Sequence, residues 1–191
     1  EKVFDALGAI VTPGIIDINT DSDHYLGLFL DPYQLDFIKQ GVTTIIGGNC
    51  GSSLAPLITG SLESIRKWAG INQVNVNWHS FKDFLAVLER RRLGVNFGSM
   101  VGYSTIRRAL VGDNVRDLDD QELEYFKLTL EKAFDEGAFG LSTGLGYLHS
   151  RSVSYSEIKS LAALTAKNRR VYSTHLRNET NGLLAAINET L

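Results

Sequence analysis

The sequence has few of the features that mark disulfide-stabilised, membrane-spanning or nucleic-acid-binding proteins. It contains one cysteine in 191 residues, so no internal disulfide can form, and we expect a reducing compartment and a cytoplasmic location. No apolar run approaches the roughly 20 residues that cross a membrane, so no membrane contact is expected. The 19 basic and 22 acidic residues give a net charge of -3 without a clustered basic face, and we expect no nucleic-acid partner.

The residues that are present describe a globular chain. Hydrophobic residues make up 43% of the sequence and the mean hydropathy is -0.05. The length is sufficient for one domain with a substantial core. The sequence opens with Glu1 and Lys2 and shows no signal-peptide pattern, so we expect it to be processed or to be an excerpt of a longer chain.

Strand-like and helix-like segments alternate along the chain. Apolar, β-branched runs predict five strands, at residues 15–18, 42–46, 95–101, 138–142 and 171–174. Start signals predict the helices that follow them, at Asp31 and Pro32, Ser61, the capping box of Ser80 and Asp83, Asp117 or Asp119, Ser154 or Ser156, and Gly182. The first helix should turn Leu35 and Ile38 inward, and the second should turn Leu62, Ile65 and Trp68 inward.

Five β-units with helical crossovers imply parallel strands and an α/β fold. An open doubly wound sheet and a (β/α)₈ barrel both fit this pattern. A complete barrel typically needs about 250 residues, so this chain would hold only its first five strands. Half a barrel leaves strand edges unpaired, and the chain alone is therefore not expected to form an active, independent domain.

Polar residues follow each predicted strand, at the positions where parallel α/β folds place their chemistry. These residues are Asn19, Thr20 and Asp21 after the first strand, Asn49 and Cys50 after the second, Tyr103 and Ser104 after the third, Ser142 and Thr143 at the fourth, and His175 and Arg177 after the fifth. We expect all of them at one edge of the sheet.

Cys50 and His175 are the strongest pair in this set. A thiolate and an imidazole at one edge could bind Zn²⁺, or could act as a nucleophile and its general base. The alternatives are that Cys50 is a small buried hydrophobe and that His175 is a satisfied core histidine. Glycines on either side of Cys50 favour a ligand site, because they are expected to open space there. The remaining histidines, His24, His79 and His149, are expected at the surface or in local structural contacts.

Four stretches resemble the landmarks of one protein family in their order and spacing. They are "VTPGIIDINTDSD", "GVTTIIGGNCGSSLAP", "GAFGLSTGLGY" and "STHLRNE". Together they resemble the N-acyl-D-amino-acid deacylases, or D-aminoacylases, of the amidohydrolase superfamily. The resemblance runs from Asp5 to Leu191. It implies that residues 1–12 are the last strand of an N-terminal β-sandwich. It also implies that residues 13–191 are the first five β/α units of a TIM-type (β/α)₈ barrel of the metal-dependent hydrolase type.

The resemblance also implies a chemistry, namely zinc-dependent hydrolysis of the amide bond of a small N-acyl-D-amino acid. Cys50 and His175 match the family's ligands for one Zn²⁺, and Tyr147 matches a residue that lines the substrate pocket. Ser142 and Arg177, at the adjoining strand ends, are further substrate-binding candidates. A further histidine and a catalytic aspartate of the family come from later strands, in the C-terminal half of the barrel, which this sequence does not contain.

The sequence departs from the family pattern at the first strand. Asn19 and Asp21 stand where the family carries His-x-His, and oxygen ligands suit Mg²⁺ or Mn²⁺ better than zinc. No lysine ends the fourth strand, so a carbamylated lysine cannot bridge two metals. We expect one metal ion, with Asp21 or Asn19 positioning water or the amide. The alternatives are a catalytically silent relative used for binding or assembly, and a metal-free hydrolase with Cys50 as nucleophile.

Overall fold

A computed structural model describes residues 2–191, which contain six strands and seven α-helices. In chain order they are β1 (Ile15–Asp17), α1 (Gly27–Leu30), α2 (Leu35–Ile38), β2 (Val42–Gly47), α3 (Phe81–Arg91), β3 (Asn96–Ser99), β4 (Val101–Gly102), α4 (Tyr103–Val111), α5 (Asp120–Asp135), β5 (Gly140–Gly144), α6 (Tyr155–Lys167), β6 (Val171–His175) and α7 (Leu183–Thr190). Two short 3₁₀ helices, Glu63–Ile65 and Ile71–Gln73, lie between β2 and α3.

The strands form two three-stranded sheets, in the orders β1-β2-β3 and β4-β5-β6, and every pairing is parallel. Only Met100 separates β3 from β4, so one extended segment contributes to both sheets. The strand order therefore follows the chain order, with β1 and β6 at the two outer edges. Parallel pairing in register aligns the carboxyl ends of the strands, as Gly144 opposite His175 illustrates. The expectation of parallel strands in an α/β fold is confirmed.

The long helices begin where their caps predict. Ser80 and Asp83 form a complete capping box before α3, and Asp119 forms another with Glu122 before α5. Ser154 accepts a hydrogen bond from the backbone N–H of Glu157 at the start of α6. Such caps satisfy backbone donors that the helix itself leaves unpaired.

The expectations for the first helix are wrong in both its start and its inward face. Asp31 ends α1 instead of starting a helix, and α2 begins only after Gln34, which has φ = 50°. Leu35 and Ile38 are 48% and 41% exposed, so they do not form an inward face.

The helix expected from Ser61 is only the 3₁₀ helix Glu63–Ile65. Leu62 and Ile65 are nevertheless buried, and Trp68 is partly buried against the core. The sequence prediction also omits α4, which starts directly at the end of β4 with no side-chain cap at Gly102. Because no cap residue marks the start of α4, the sequence pattern does not separate this helix from the strand before it.

The apolar core is one cluster between the strands and the helices that cover them. Ile45, Val101 and Leu141 contribute from the strands, and Phe84, Ile106, Phe126, Leu130, Phe134, Ile158 and Leu161 contribute from α3 to α6. Burial of each such side chain contributes about 1.5–3 kcal/mol to folding. This layer of helices fixes the strands, and through them the loops at their carboxyl ends. No helix within residues 2–191 is long and apolar enough to cross a membrane.

Candidate metal centre

The loop after β2 holds Cys50 in an unusual backbone conformation. Gly48, Cys50 and Gly51 all have positive φ angles, of 72°, 53° and 80°. For a residue with a side chain, such a conformation costs of the order of 1–3 kcal/mol and persists only where its surroundings impose it. The Cys50 loop, defined as residues 48–52, therefore needs strong anchors on both sides of the thiol.

Two buried residues after β1 supply anchors from one side. The Asp23 carboxylate accepts a hydrogen bond from the Gly48 backbone N–H at 2.6 Å, and the His24 Nε2 donates to the Ser52 carbonyl at 2.9 Å. Burial raises the pKa of Asp23, while the neighbouring His24 acts in the opposite direction. The sequence predicts His24 at the surface or in local structural contacts. It is 1% exposed, so the surface is wrong, and its contacts are structural but reach as far along the chain as Ser52.

Ser142 anchors the same loop from β5. Its hydroxyl accepts a hydrogen bond from the Gly51 N–H at 3.0 Å and donates to the Gly48 carbonyl. Ser142 is completely buried. The structure thus places it behind the Cys50 loop, where it joins the two sheets, and not among the residues that line a cavity.

The glycines of the Cys50 loop serve close packing and do not open space for a ligand, contrary to expectation. A Cβ on Gly48 would lie 2.1 Å from the Met100 carbonyl oxygen, and a Cβ on Gly51 would lie 2.7 Å from the Gly144 nitrogen. Both contacts are with backbone, which cannot easily move away. Glycine therefore allows the loop to lie directly against Met100 and β5.

Cys50 and His175 line the same cavity, as the sequence predicts. The cavity has a volume of about 300 Å³ and is lined by Ile18, Asn19, Asn49, Cys50, Ser173, Thr174, His175 and Glu179. The Asn49 amide is itself held by hydrogen bonds to the Ile46 and Ile18 carbonyls, at 3.0 and 3.3 Å. The ends of β1, β2 and β6 therefore meet at one place.

Tyr147 lies between the two candidate ligands. Its ring centroid is 5.0 Å from that of His175, and its hydroxyl is near enough to the Cys50 thiol for each group to shift the pKa of the other. Burial, followed by the nearby Cys50, raises the pKa of Tyr147 to about 12. Burial also raises the pKa of Cys50, although the Tyr147 hydroxyl partly offsets this effect. Tyr147 is therefore a proton donor at neutral pH, and Cys50 without a metal is a thiol.

The donor set of this cavity fits zinc in part. Thiolate sulfur and imidazole nitrogen are typical zinc ligands, and a metal deprotonates a coordinating thiol despite a raised pKa. The His175 Nε2 lies 3.6 Å from the Glu179 carboxylate, and such a partner orients metal-binding histidines in proteins. Within residues 2–191 no group of three or more histidine, cysteine or acidic side chains is arranged to hold a metal ion. Cys50 and His175 thus supply two ligands of a set that needs more.

Asp21 and Asn19 occupy different positions, although they are two residues apart. Asn19 lines the cavity, whereas the half-exposed Asp21 contacts the His24 Nδ1 at 3.1 Å. Asp21 is still near enough to Cys50 and Tyr147 to raise the pKa of each.

Arg177 is directed away from the cavity. Its guanidinium binds the Glu189 carboxylate of α7 with hydrogen bonds of 2.6 to 3.1 Å, and it also donates to the Arg151 carbonyl. These contacts fasten the segment after His175 to α7.

A further feature near the cavity was not singled out in the sequence. The Lys67 ammonium lies 3.7 Å from the ring centroid of Tyr147 and 4.0 Å from that of Trp68. Trp68 in turn stacks on His24 with a centroid distance of 4.5 Å. The sequence signal, a lysine beside a tryptophan, is too common to indicate this arrangement without the fold.

The chain is similar in sequence to characterised deacylases, although no family model matches it. N-acyl-D-aspartate deacylase from Alcaligenes xylosoxydans xylosoxydans is 34% identical over 190 residues, covering 99% of this chain and 38% of that protein. D-aminoacylase from the same organism is also 34% identical over 190 residues, covering 97% and 38%. The chain thus spans well under half the length of these relatives.

Solved structures agree in fold. Two D-aminoacylase structures, at 33% and 32% identity, and that of N-acyl-D-glutamate deacylase from Bordetella bronchiseptica, at 30%, superpose with a TM-score of 0.81. Each comparison covers 93% of this chain and 37% of the other. One of these structures is described as defining a novel subset of amidohydrolases. Agreement in sequence along the whole chain and in the α/β fold means that this chain belongs to the N-acyl-D-amino-acid deacylase (D-aminoacylase) family of the amidohydrolase superfamily.

Proposed function

We propose that this protein hydrolyses the amide bond of N-acyl-D-amino acids with one zinc ion held by Cys50 and His175. The observation that carries the proposal is the shared cavity of these two residues, with Tyr147 against both. Relatives named for N-acyl-D-aspartate, N-acyl-D-glutamate and D-amino-acid deacylation support the substrate class. One structural relative was solved with zinc and a phosphonate that mimics a tetrahedral intermediate.

A single ion is part of the proposal. A related D-aminoacylase structure is described by a binuclear centre with one-metal activation and second-metal attenuation. Here Asn19 and Asp21 replace the histidine pair of the family pattern, and neither is a soft ligand. Loss of a second, attenuating metal position is compatible with retained activity at the first.

The proposed architecture completes this ligand set. We take residues 13–191 as the first five β/α units of a (β/α)₈ barrel and residues 1–12 as the last strand of a β-sandwich. The sequential order of the parallel strands supports the barrel part of this proposal. Residues 2–12 form no strand in the part of the chain that the structure describes, so a sandwich strand there rests on the family resemblance alone. Later strands of the protein would then supply the further histidine and the catalytic aspartate.

Each residue at the cavity has a proposed role. When bound, zinc would activate a water molecule and polarise the acyl carbonyl. Tyr147, protonated at neutral pH, donates a hydrogen bond to the acyl carbonyl oxygen of the substrate. Asn19 orients water or the amide. Asp21 accepts a proton at the edge of the site, and the buried His24 holds it in place. Ser142 and Arg177 contribute to substrate binding indirectly, by fixing the Cys50 loop and the segment after His175.

A catalytically silent relative is the second candidate, and two observations favour it. The histidine pair is replaced, and the described residues contain no group of three metal ligands. A metal-free hydrolase with Cys50 as nucleophile is less compatible with the structure. Burial raises the pKa of that thiol, whereas a nucleophilic cysteine needs a lowered pKa or a base that takes its proton. The other candidate partner, His175, has its Nε2 directed toward Glu179.

The test measures metal content and hydrolysis together. We expect the purified protein to contain one zinc ion by plasma mass spectrometry and to release the free amine from N-acetyl-D-methionine but not from its L-enantiomer. Cys50→Ala and His175→Ala should each lose the zinc and the activity. His79→Ala is the matched control, because among residues 2–191 the His79 ring bonds only the Leu57 carbonyl, and it lines a different cavity from Cys50 and His175.

The outcomes separate the candidates. Bound zinc without hydrolysis of any N-acyl-D-amino acid would support the silent relative. Hydrolysis that resists chelators but is abolished by thiol alkylation would support the cysteine nucleophile. The proposed chemistry requires a reduced thiolate ligand, which is why we also propose a reducing, cytoplasmic location.

A further inference from the structure

A lysine is held beside the candidate metal centre by aromatic rings. Lys67 follows the 3₁₀ helix Glu63–Ile65, and its ammonium lies against both the Trp68 and the Tyr147 rings, at 4.0 and 3.7 Å from their centroids. Trp68 is itself oriented by stacking on the buried His24. Cation–π contacts of this kind contribute about 0.5–2 kcal/mol and restrict an otherwise flexible side chain. The ammonium therefore has a defined place.

The charge of Lys67 is not neutralised by a neighbouring acid. Across residues 2–191 no aspartate or glutamate forms an ion pair with it, whereas the adjacent Arg66 pairs with Glu63 and Arg108 pairs with Asp113. Lys67 as a whole is exposed, but its ammonium lies against two rings, and this partial desolvation lowers the pKa of Lys67. A partly dehydrated, unpaired ammonium binds an anion more strongly than a fully hydrated one, because less water must be removed.

The Lys67 ammonium lies near the place where the amide of a substrate would react. Tyr147 contacts Lys67 with the same ring that lies 5.0 Å from the His175 ring, and its hydroxyl is near Cys50. Every N-acyl amino acid carries a carboxylate two bonds from its amide nitrogen, and acidic ones carry a second on the side chain. Lys67 and His175 are both neighbours of the Tyr147 ring, and Lys67 is near enough to Cys50 to influence the pKa of that thiol. The ammonium is therefore separated from the candidate metal centre by about one aromatic ring, a separation that an N-acyl amino acid can span.

We propose that Lys67, seated on Trp68 and Tyr147, is a specificity residue that binds a carboxylate of the substrate. The inference rests on the proposed function, because it takes the cavity of Cys50 and His175 as the reaction site. The carboxylate has two possible sources, the α-carboxylate common to all substrates and the side-chain carboxylate of acidic ones. Both provide the same chemistry to the ammonium.

The test compares Lys67→Met with Arg66→Gln, which removes the neighbouring exposed charge but no aromatic contact. Three substrates are used: N-acetyl-D-glutamate, its uncharged isostere N-acetyl-D-glutamine, and N-acetyl-D-leucine. We expect Lys67→Met to raise KM about tenfold or more, as for loss of one charge-assisted hydrogen bond, while Arg66→Gln changes it less than twofold. Lys67→Arg should restore most of the binding.

The pattern across substrates identifies which carboxylate is bound. A rise in KM for all three substrates assigns Lys67 to the α-carboxylate, and a rise for N-acetyl-D-glutamate alone assigns it to the side chain. If Lys67→Met retains the KM of the unmodified protein for all three substrates, the inference is overturned while the deacylase function stands. If the unmodified protein hydrolyses neither these three substrates nor N-acetyl-D-methionine, the proposed function fails, and this inference fails with it.

Discussion

Removing the Ser142 hydroxyl should destabilise the Cys50 loop without removing any group that faces the cavity. In Ser142→Ala the Gly51 N–H loses its acceptor at 3.0 Å, and the Gly48 carbonyl loses its donor. Ser142 is completely buried, so water cannot replace the hydroxyl without a rearrangement. The change therefore affects the backbone on both sides of Cys50.

The magnitude follows from these two contacts. A buried donor left without a partner costs about 1–3 kcal/mol, and the second hydrogen bond contributes about 1 kcal/mol. We expect the free energy of unfolding to fall by about 3 kcal/mol. Zinc affinity should fall as well, because Cys50 would then keep its anchors from Asp23 and His24 but lose those from β5 that help to impose its positive φ.

Urea denaturation monitored by tryptophan fluorescence measures the stability, and plasma mass spectrometry measures the zinc content. Ser156→Ala is the matched control, because Ser156 is exposed and, among residues 2–191, its hydroxyl forms a hydrogen bond only with the Ser154 hydroxyl. Its effect should stay within about 0.5 kcal/mol. The reasoning is refuted if Ser142→Ala unfolds like the unmodified protein but has a raised KM, since that result assigns the hydroxyl to substrate binding.

Two further predictions concern pH and assembly. Burial lowers the pKa of His149 from 6.5 to about 4, so the stability due to its neutral ring is present above pH 6.5 and is lost as the pH falls toward 4. His149→Gln can still bond Ser104 but has no ring to protonate. In urea denaturation this variant should lose roughly 1–2 kcal/mol less stability between pH 6.5 and 4, a figure smaller than the full pKa shift implies because His149 is partly exposed. An unchanged dependence of stability on pH contradicts the prediction. Residues 1–191 produced alone should self-associate through β1, where Ile15 and Ile16 are 56% and 61% exposed at a sheet edge. Light scattering after size-exclusion chromatography checks this, with Ile16→Lys expected to reduce association and a monodisperse monomer as the contrary result.

The local features of the chain were predictable because their signals lie within a few residues. The capping box at Ser80 and Asp83 forms as expected, because it depends on side chains three positions apart. Of the two caps expected for α5, Asp117 or Asp119, the structure has Asp119, which also forms a capping box with Glu122. The β-branched run at β2 gave a strand for the same reason. Prediction failed where local signals conflict or are missing. Asp31 looks like the start of a helix but ends the short helix α1, and α4 has no cap residue to mark its start.

The sequence by itself determined the alternation of strands and helices, the α/β class and the polar residues at the strand ends, because periodicity and turn chemistry act locally. It also gave Cys50 and His175 as a pair, since parallel strands necessarily align their carboxyl ends. Only the tertiary structure decided that Ser142 anchors the Cys50 loop and that Lys67 lies on Tyr147. Those contacts join residues that are 91 and 80 positions apart along the chain. Whether such residues meet depends on how the helices and sheets pack, which no local sequence pattern encodes.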